Sequence, residues 1–501
     1  MSTSSRSAEL LFLFLFIVVP FSLSSARFNV THLPGFDGEL PFRLETGYVT
    51  VSEETGGELF YYFVESERNP SEDPLILWLS GGPGCSAINS LALDMGPIIF
   101  NVEDFDGKLP ILYANPYAWT KIANMIFLDW PIGSGFSYSK NAFDYFADDF
   151  STTRSVHKFL KKWFLDHPSF LLNTFYMGGD SYGAKIAVLA AYEIVEANGR
   201  GQLPLINIKG YVIGNPGTKG PAPGSKVDSV NQVTHAYGLG VLPREFYLQV
   251  VRDCAGENYK APMNALCAKH LDIINGFIAE INIYSILDPL CDDEPPSLNE
   301  NSMARSLKDN SAEKLGSSSS DPDINCITAE LLVNYWGNHY LVREALHVKE
   351  RTVGRFHRCK FEIAENFFTC NIPNAVPYHH SLMSKGYRTL VYSGDHDVKI
   401  PFFSTLAWIR SLNFTVLKPW HSWKAGDQVA GYATLFSNNL TFTTIKVLDT
   451  TTFHPSTIRK TLTACVLIFL EWLQGGSHVA AGKMPMQCFV MFERWSSYQA
   501  L

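Results

Sequence analysis

Residues 179–183, Gly-Asp-Ser-Tyr-Gly, contain the strongest candidate for a catalytic nucleophile, Ser181. The motif follows a short apolar run at 174–177 and precedes a segment with helical composition at 182–197. This context predicts that Ser181 stands on a sharp turn between a strand and a helix. On such a turn the hydroxyl faces solvent, and the N-terminus of the helix favours developing negative charge.

A Gly-rich loop, Trp-Leu-Ser-Gly-Gly-Pro-Gly-Cys-Ser at 78–86, is the candidate site for stabilising that charge. An α/β-hydrolase takes one oxyanion-hole amide from a loop at this place and the other from the residue after the nucleophile. The backbone N–H groups of Gly82 and Tyr182 are therefore the candidates. The alternative is an ordinary Gly/Pro turn, and phosphate binding is disfavoured because no Gly-Lys-Ser/Thr follows.

Asp397 and His478 are the candidates to complete a triad, because the order in this fold is Ser, then Asp, then His. Asp397 ends the motif Tyr-Ser-Gly-Asp-His-Asp at 392–397, and His478 ends a Gly-rich loop at 475–478. His478 would accept the proton of Ser181 and return it to the leaving group. No paired His or Cys ligand spacing accompanies His478, so we expect neither a metal nor another cofactor.

The elements that must position these residues predict an α/β fold with a central mixed, mostly parallel sheet. Short apolar runs indicate buried strands at 75–79, 125–128, 174–177, 209–213, 389–392 and 441–445. Helical patterns over 150–165 and 182–197 favour a sheet that is covered on both faces. Apolar runs at 47–51 and 59–63 predict a hairpin at the sheet edge.

The domain organisation predicted from these elements is one α/β-hydrolase domain with an insertion. Its first part is 27–216, and its second part is 336–501. The regular alternation breaks over 217–335, which we interpret as a cap. Residues 292–325 within it are rich in Ser, Pro, Asn and acidic side chains, so they predict an exposed loop.

The N-terminus predicts a cleavable signal peptide over residues 1–26. Arg6 precedes an apolar run at 10–21, and small residues follow as far as Ala26. The alternative, a signal anchor, is disfavoured because the run is shorter than the ~20 residues that a membrane span needs. We expect the mature protein to pass through the endoplasmic reticulum to a secreted or vacuolar location, with no membrane segment.

The amino-acid composition and the predicted secretory compartment restrict the classes of molecule that the protein can bind and the modifications that it can carry. The chain of 501 residues has a net charge of −9, and it shows no basic stripe, which argues against nucleic-acid binding. Asn-x-Thr sequons become candidate glycosylation sites in the secretory pathway. These sequons begin at Asn29, Asn413 and Asn439.

These motifs together resemble the serine carboxypeptidases, and most closely the plant serine carboxypeptidase-like acyltransferases. The resemblance covers about residues 30–446 and 475–495. The motifs that carry it are 79–86, 133–138 (Gly-Ser-Gly-Phe-Ser-Tyr), 179–182, 210–216 (Gly-Tyr-Val-Ile-Gly-Asn-Pro), 392–397 and 407–413 (Ala-Trp-Ile-Arg-Ser-Leu-Asn). It implies the triad already named.

The resemblance also implies a choice between two activities. The peptidases usually carry Asn-Gly-Gly-Pro-Gly in the first loop and Glu-Ser-Tyr at the elbow, and their Asn and paired Glu hold the peptide's C-terminal carboxylate. This chain has Ser80, Asp180 and Asp94 at those places, beside Gly81. We therefore predict an acyltransferase that takes an acyl group from a 1-O-glucose ester and passes it to an acceptor alcohol through an acyl-enzyme. A carboxypeptidase or esterase, whose partner is a peptide C-terminus, is the alternative.

The family pattern implies three disulfides, although sequence alone does not determine connectivity. The implied pairs are Cys85–Cys359, Cys254–Cys267 and Cys291–Cys326, and Cys370 is a rival partner for Cys85. Some relatives lose the polar loop by excision, so the expected forms are a monomer or two disulfide-linked chains.

Three short stretches depart from the pattern, and they bear on the acceptor. Gly-Ala-Lys-Ile-Ala at 183–187 stands where relatives usually show a Gly and then a Val/Ile-Pro step. Trp130 replaces a usual Gln, and Val-Ala-Ala-Gly-Lys follows His478 at 479–483.

A larger departure is the segment 447–474, which separates the last core strand from the His loop. It begins with Val and ends with Gln, and their codons fit splice signals, so one hypothesis is a retained intron. The alternative is a genuine insertion with an extra helix. Either way it could displace His478, and a displaced base would leave a third function, a non-catalytic secreted binding protein.

Overall fold

In this computed structural model, an eleven-stranded sheet forms the centre of the fold. The structure describes residues 27–102, 105, 108–219, 229–288, 290, 329–446 and 477–501. The strands are β1 (Arg27–Val30), β2 (Leu44–Ser52), β3 (Gly57–Val64), β4 (Leu75–Leu79), β5 (Ile98–Phe100), β6 (Leu112–Ala114), β7 (Asn124–Leu128), β8 (Ala147–Asp148), β9 (Phe175–Asp180), β10 (Ile208–Gly214), β11 (Phe368–Thr369), β12 (Arg388–Gly394), β13 (Val416–Ala425), β14 (Gln428–Phe436) and β15 (Leu440–Ile445).

The sheet order is β1-β2-β3-β7-β4-β9-β10-β12-β15-β14-β13. The strands from β7 to β15 in this order pair in parallel, whereas both ends of the sheet are antiparallel. The mixed, mostly parallel sheet is therefore present. The predicted hairpin is β2–β3, but β1 pairs outside it as the edge strand.

The helices are α1 (Ile88–Ala92), α2 (Asp149–Asp166), α3 (Ser181–Gly199), α4 (Val230–Gly238), α5 (Arg244–Asp253), α6 (Ala265–Ala279), α7 (Ala329–Asn338), α8 (Tyr340–Ala345), α9 (Val376–Ser384), α10 (Phe402–Ser411), α11 (Ala480–Lys483) and α12 (Pro485–Ser496). Helix α2 begins with a capping box, in which the Asp148 side chain accepts from Ser151 N–H.

The apolar runs of the central strands are buried on both faces of the sheet. Ile76 and Trp78 of β4 belong to one hydrophobic cluster, and Leu75, Leu77 and Leu79 belong to the other. Because successive side chains of a strand point to opposite faces, a strand covered on both sides needs an unbroken apolar run. This is why β4 appears in the sequence as continuous rather than alternating hydrophobicity.

The predicted cap range, 217–335, contains three helices with a hydrophobic cluster of their own. Helices α4, α5 and α6 pack together through Val233, Val250 and Ile274, among others. Helix α7 also begins inside that range, but Leu332, Val333 and Trp336 belong to the main core. The apolar side chains of α7 are therefore buried with the sheet domain and not with α4, α5 and α6, while the division into core and cap stays a prediction.

The C-terminal helix α12 packs into the main core. Cys488, Met491, Phe492 and Trp495 are buried there, and the Phe492 ring stacks on Trp119 at a centroid distance of 4.1 Å. The chain that follows the segment 447–474 is thus anchored to the sheet domain. That segment, the signal-peptide range 1–26 and the loop 292–325 lie outside the described residues.

Candidate active site

Ser181 stands at the junction of β9 and α3, as the motif predicts. Its φ angle is +50°, a left-handed conformation that costs energy for a residue with a side chain. The neighbouring backbone is close: a Cβ added to Gly183 would lie 2.1 Å from the Leu79 carbonyl oxygen. The turn can therefore form only with a residue that lacks a side chain at this position, and it presents Ser181 at the carboxyl edge of the sheet.

Asp397 and His478 meet at the same edge. Nδ1 of His478 lies 2.7 Å from Oδ2 of Asp397, and both residues are buried. Asp397 also accepts hydrogen bonds from the Asn215 side-chain amide at 2.6 Å and from Ile400 N–H at 3.0 Å. With its lone pairs satisfied in this way, the carboxylate can orient the imidazole and stabilise its protonated form.

The segment before His478 has not displaced the histidine from the acid. Burial raises the pKa of Asp180, the residue before Ser181, and the charge of His478 opposes part of that rise. Within the described residues, no hydrogen bond connects Ser181 to the His478 ring. Such bonds are often long before substrate binds, so the arrangement remains compatible with proton transfer.

Asn215 is a site residue that the sequence analysis did not assign. It is the sixth residue of the motif 210–216 and comes directly after β10, which neighbours the strand that leads to Asp397. Its amide donates to Asp397, and its side-chain oxygen accepts from Gly394 N–H at 3.2 Å. Its place at the carboxyl end of a strand that neighbours β9 and β12 is the signal that would have found it.

The two candidate oxyanion amides belong to two different segments, the start of α3 and the Gly-rich loop after β4. Tyr182 is the second residue of α3, where backbone N–H groups lack an intrahelical partner. Gly82 has a φ angle of +116°, and a Cβ there would lie 2.6 Å from Gly84 N. The adjoining Gly81 approaches Ser181 so closely that an added Cβ would lie 2.7 Å from the Ser181 Cβ.

Several contacts hold the loop that carries Gly82. The indole N–H of Trp130 donates to the Ser80 carbonyl oxygen at 3.1 Å, which gives this unusual residue a structural role. The Cys85–Cys359 disulfide ties the loop to the chain beyond the cap. The structure also contains Cys254–Cys267, within the predicted cap, and Cys85 pairs with Cys359 rather than with Cys370. The predicted pair Cys291–Cys326 lies outside the described residues.

The residues predicted to contact substrate form a buried polar group. Ser80 and Ser90 share a hydrogen bond of 2.8 Å between their hydroxyls. Asp180 accepts from the Trp78 indole N–H at 3.1 Å and from Gly81 N–H at 3.2 Å. Burial raises the pKa of Asp180 to about 6. Burial, together with the charge of Asp180, raises the pKa of Asp94 well above its usual range.

A second group of residues that the sequence analysis did not assign lies beneath the turn that carries Ser181. Nζ of Lys185 donates to Asp149 at 3.1 Å and to the Tyr182 hydroxyl at 3.2 Å, and it lies 3.2 Å from Sγ of Cys370. The Tyr182 hydroxyl donates to the other oxygen of Asp149 at 2.7 Å. Both charged side chains are fully buried. The departure at 183–187 thus introduces a buried ion pair behind the residue whose N–H is an oxyanion candidate.

The remaining predictions concern surface groups, metals and membranes. The three sequon asparagines are exposed, so glycosylation there stays a prediction. In the part of the chain that the structure describes, no group of three or more His, Cys, Asp or Glu side chains could hold a metal. None of the described helices is both long and apolar enough to cross a membrane.

Comparisons with known proteins agree with this geometry. Residues 34–448 match the serine carboxypeptidase family, Peptidase S10. Serine carboxypeptidase-like 12 of Arabidopsis thaliana is 37% identical over 98% of this chain and 99% of that protein. Serine carboxypeptidase-like 19 of the same plant is 39% identical over 97% of this chain and 98% of its own length.

Among solved structures, a prohormone-processing carboxypeptidase from Saccharomyces cerevisiae superposes with a TM-score of 0.66 at 18% identity, covering 94% of this chain and 96% of that one. At this identity the likeness supports the α/β-hydrolase fold alone. The match to the sequence family covers most of the chain, and the match to the plant relatives covers nearly all of it. The chain is therefore an enzyme that belongs to the serine carboxypeptidase family.

Proposed function

We propose that the protein is a secretory-pathway serine acyltransferase that moves an acyl group from a 1-O-acyl-glucose ester to an acceptor alcohol. The observation that carries this proposal is the identity of Ser80, Asp94 and Asp180, together with their burial and their hydrogen bonds within the protein. These residues occupy the places where the peptidases of the family carry the Asn and the paired Glu that hold a peptide's terminal carboxylate.

In this chain the polar atoms of these side chains are buried or hydrogen-bonded to other residues of the protein. The Ser80 hydroxyl bonds to Ser90, and the two oxygens of Asp180 accept from Trp78 and Gly81. Asp94 is buried, with 7% of its surface exposed. Shorter acids held in this way are poorly placed to bind a second carboxylate. A neutral sugar ester needs no group that binds a carboxylate, and it brings no further charge into this buried site.

The first half of the reaction forms the acyl-enzyme. Oγ of Ser181 attacks the ester carbonyl carbon while Nε2 of His478 takes the hydroxyl proton. The oxyanion of the tetrahedral intermediate accepts from the N–H groups of Gly82 and Tyr182. Collapse breaks the bond to the anomeric oxygen, and the imidazolium returns its proton to the departing glucose.

The second half repeats these steps with the acceptor. His478 removes the proton of the acceptor hydroxyl, whose oxygen attacks the acyl-enzyme carbonyl carbon. The second tetrahedral intermediate collapses with release of the Ser181 oxygen, which recovers its proton from the imidazolium. The product is a new ester, and the enzyme is unchanged. Water in place of the alcohol would give hydrolysis, so the outcome depends on which nucleophile reaches the acyl-enzyme.

The second candidate is a carboxypeptidase or esterase, and the observation in its favour is the match to a family described as serine carboxypeptidases. It uses the same three residues and differs only in its substrate. The same location is proposed for both activities, secreted or vacuolar, and the proposed forms are a monomer or two disulfide-linked chains.

A transfer assay separates these candidates. The purified protein is incubated with a panel of 1-O-acyl-glucoses and candidate alcohols, and in parallel with a blocked dipeptide. We expect new esters and no peptide cleavage, and Ser181→Ala should abolish product formation. Peptide cleavage without acyl transfer would contradict the proposal. The variant that combines Ser80→Asn, Asp94→Glu and Asp180→Glu restores the peptidase residues, and it should gain peptide cleavage relative to wild type.

The effect of the segment 447–474 on the reaction is tested by comparing the chain with and without it. The same assay is run on the full chain and on a form without these residues, and transcript sequencing across the junction shows which form is made. We expect both forms to react at Ser181. A message that always contains the segment would contradict the retained-intron hypothesis without affecting the proposed reaction.

A further inference from the structure

A short stretch of the cap, residues 283–288, contacts both loops that carry the proposed acid and base. We call this stretch the cap clasp. It follows α6, and its first carbonyl, that of Ile283, accepts from the N–H groups of Val398 and Lys399, each at 3.0 Å. These two residues come directly after Asp397. The first contact of the cap clasp is therefore with the acid loop.

The next residue of the cap clasp contacts the base loop. The carbonyl oxygen of Tyr284 accepts from His478 N–H at 2.7 Å. The Tyr284 ring also packs on the imidazole, with centroids 5.3 Å apart. Tyr284 is 37% exposed and His478 is 5% exposed. Two consecutive residues of the cap thus join the segments that bring Asp397 and His478 together.

Two charged side chains strengthen these contacts. Nζ of Lys399, on the acid loop, lies 5.4 Å from the centroid of the Tyr284 ring, within the range of a cation–π interaction. Asp288, at the end of the cap clasp, forms an ion pair of 2.8 Å with Lys483. Lys483 is the last residue of α11, the helix that follows His478.

We propose that the cap clasp positions His478 for catalysis and that Tyr284 is its main positioning residue. This inference rests on the proposed function, in which His478 is the base. The physical reason is that the acid and the base are held by different parts of the protein. Asp397 is held from within the sheet domain by Asn215, whereas the His478 main-chain N–H is held by the cap. A shift of about 1 Å in a catalytic group can cost on the order of 100-fold in rate.

The test is the rate at which a fluorophosphonate probe labels Ser181 in the full chain. The probe reports the reactivity of the serine and its base, and it needs no acceptor. We expect Tyr284→Ala to slow labelling by about 10-fold or more and Tyr284→Phe to stay close to wild type. Phe277→Ala is the matched control, because Phe277 is a cap aromatic that is 42% exposed. It should label at the wild-type rate.

The outcomes distinguish a failure of the proposed function from a failure of the proposed role of the cap clasp. Absence of labelling in wild type would overturn the proposed function. Normal labelling of wild type with equally fast labelling of folded Tyr284→Ala would overturn the cap clasp alone. With acyl-glucose as donor, Tyr284→Ala should lower kcat. A change confined to KM would make Tyr284 a substrate contact, which also overturns the inference.

Two further variants decide the matter if Tyr284→Ala does not fold. Lys399→Met removes the cation above the ring, and Asp288→Asn removes the ion pair with Lys483. Each should slow labelling by about 2- to 5-fold with an unchanged unfolding temperature, because each removes a single weak contact at the edge of the cap clasp. Wild-type labelling rates in both variants would overturn the inference.

Discussion

The side-chain amide of Asn215 donates to Oδ2 of Asp397 at 2.6 Å, and this same oxygen lies 2.7 Å from Nδ1 of His478. One carboxylate oxygen thus contacts a neutral donor from the residue after β10 and the imidazole from the C-terminal loop. Because Asn215 also accepts from Gly394 N–H, it links the ends of two neighbouring strands. The orientation of the proposed acid therefore depends on a residue outside the proposed triad.

The first prediction follows from this link. Asn215→Ala should slow fluorophosphonate labelling of Ser181 by about 10-fold, because a hydrogen bond to a charged group contributes about 1.5–3 kcal/mol. Asn215→Asp should be slower still, since it places a second negative charge against Asp397. The rates are measured with pure protein at fixed pH. Labelling by Asn215→Ala at the wild-type rate would show that Ile400 N–H alone holds the acid.

The second prediction concerns pH and Asp180. Burial raises its pKa to about 6 in the folded protein, from an ordinary 3.8. Between these values the folded state binds more protons than the unfolded state, so the free energy of unfolding falls as pH rises from about 4 through 6. The loss is on the order of 3 kcal/mol. Asp180→Asn should remove this loss, and urea unfolding from pH 4 to 7 measures it.

Asp253 serves as a control of opposite sign. Hydrogen bonds from Arg252 and then His270 lower its pKa to about 2. Its contribution to stability is present above the ordinary pKa and is lost as pH falls from about 4 through 2. Asp253→Asn should therefore weaken the protein at neutral pH and leave the slope between pH 4 and 7 unchanged. Identical slopes for Asp180→Asn and wild type would contradict the second prediction.

The third prediction concerns the buried pair of Lys185 and Asp149. Lys185→Met should lower the free energy of unfolding by about 3–5 kcal/mol, because it leaves an uncompensated buried carboxylate. Asp149→Asn combined with Lys185→Met should recover part of that loss, since both charges are gone. Lys158→Met is a matched control at a pair that is largely exposed. A decrease in the free energy of unfolding no larger than that of the control would show that the buried pair is not needed for stability.

The fourth prediction compares the two disulfides. Cys85–Cys359 closes a separation of 274 residues and Cys254–Cys267 closes one of 13 residues. The chain-entropy account assigns more stabilisation to the longer loop, within a typical range of about 2–5 kcal/mol. Replacing the first pair by Ser should cost more stability and should also slow labelling, because Cys85 adjoins the oxyanion loop. The second replacement should leave labelling unchanged.

The local sequence pattern was sufficient to predict the strands and helices that carry the candidate catalytic residues. The run 75–79 is β4 as observed, and the motif around Ser181 lies at the predicted junction of β9 and α3. These succeed because an unbroken apolar strand and a glycine-flanked elbow have few other structural solutions. The antiparallel pair β13–β14 was not predicted. Much of β13 is exposed, so it has no continuous apolar run to reveal it.

By itself the sequence determined the fold class, the serine elbow and the chain order of the candidate triad. These properties depend on short motifs and on the period of hydrophobic residues. Only the tertiary structure decided that Asn215 supports the acid, that Lys185 pairs with Asp149, and that the cap contacts His478 through Tyr284. Each of these contacts joins segments far apart in the chain. Such contacts exist only after the sheet has brought its carboxyl edge and the cap together, and no local pattern records them.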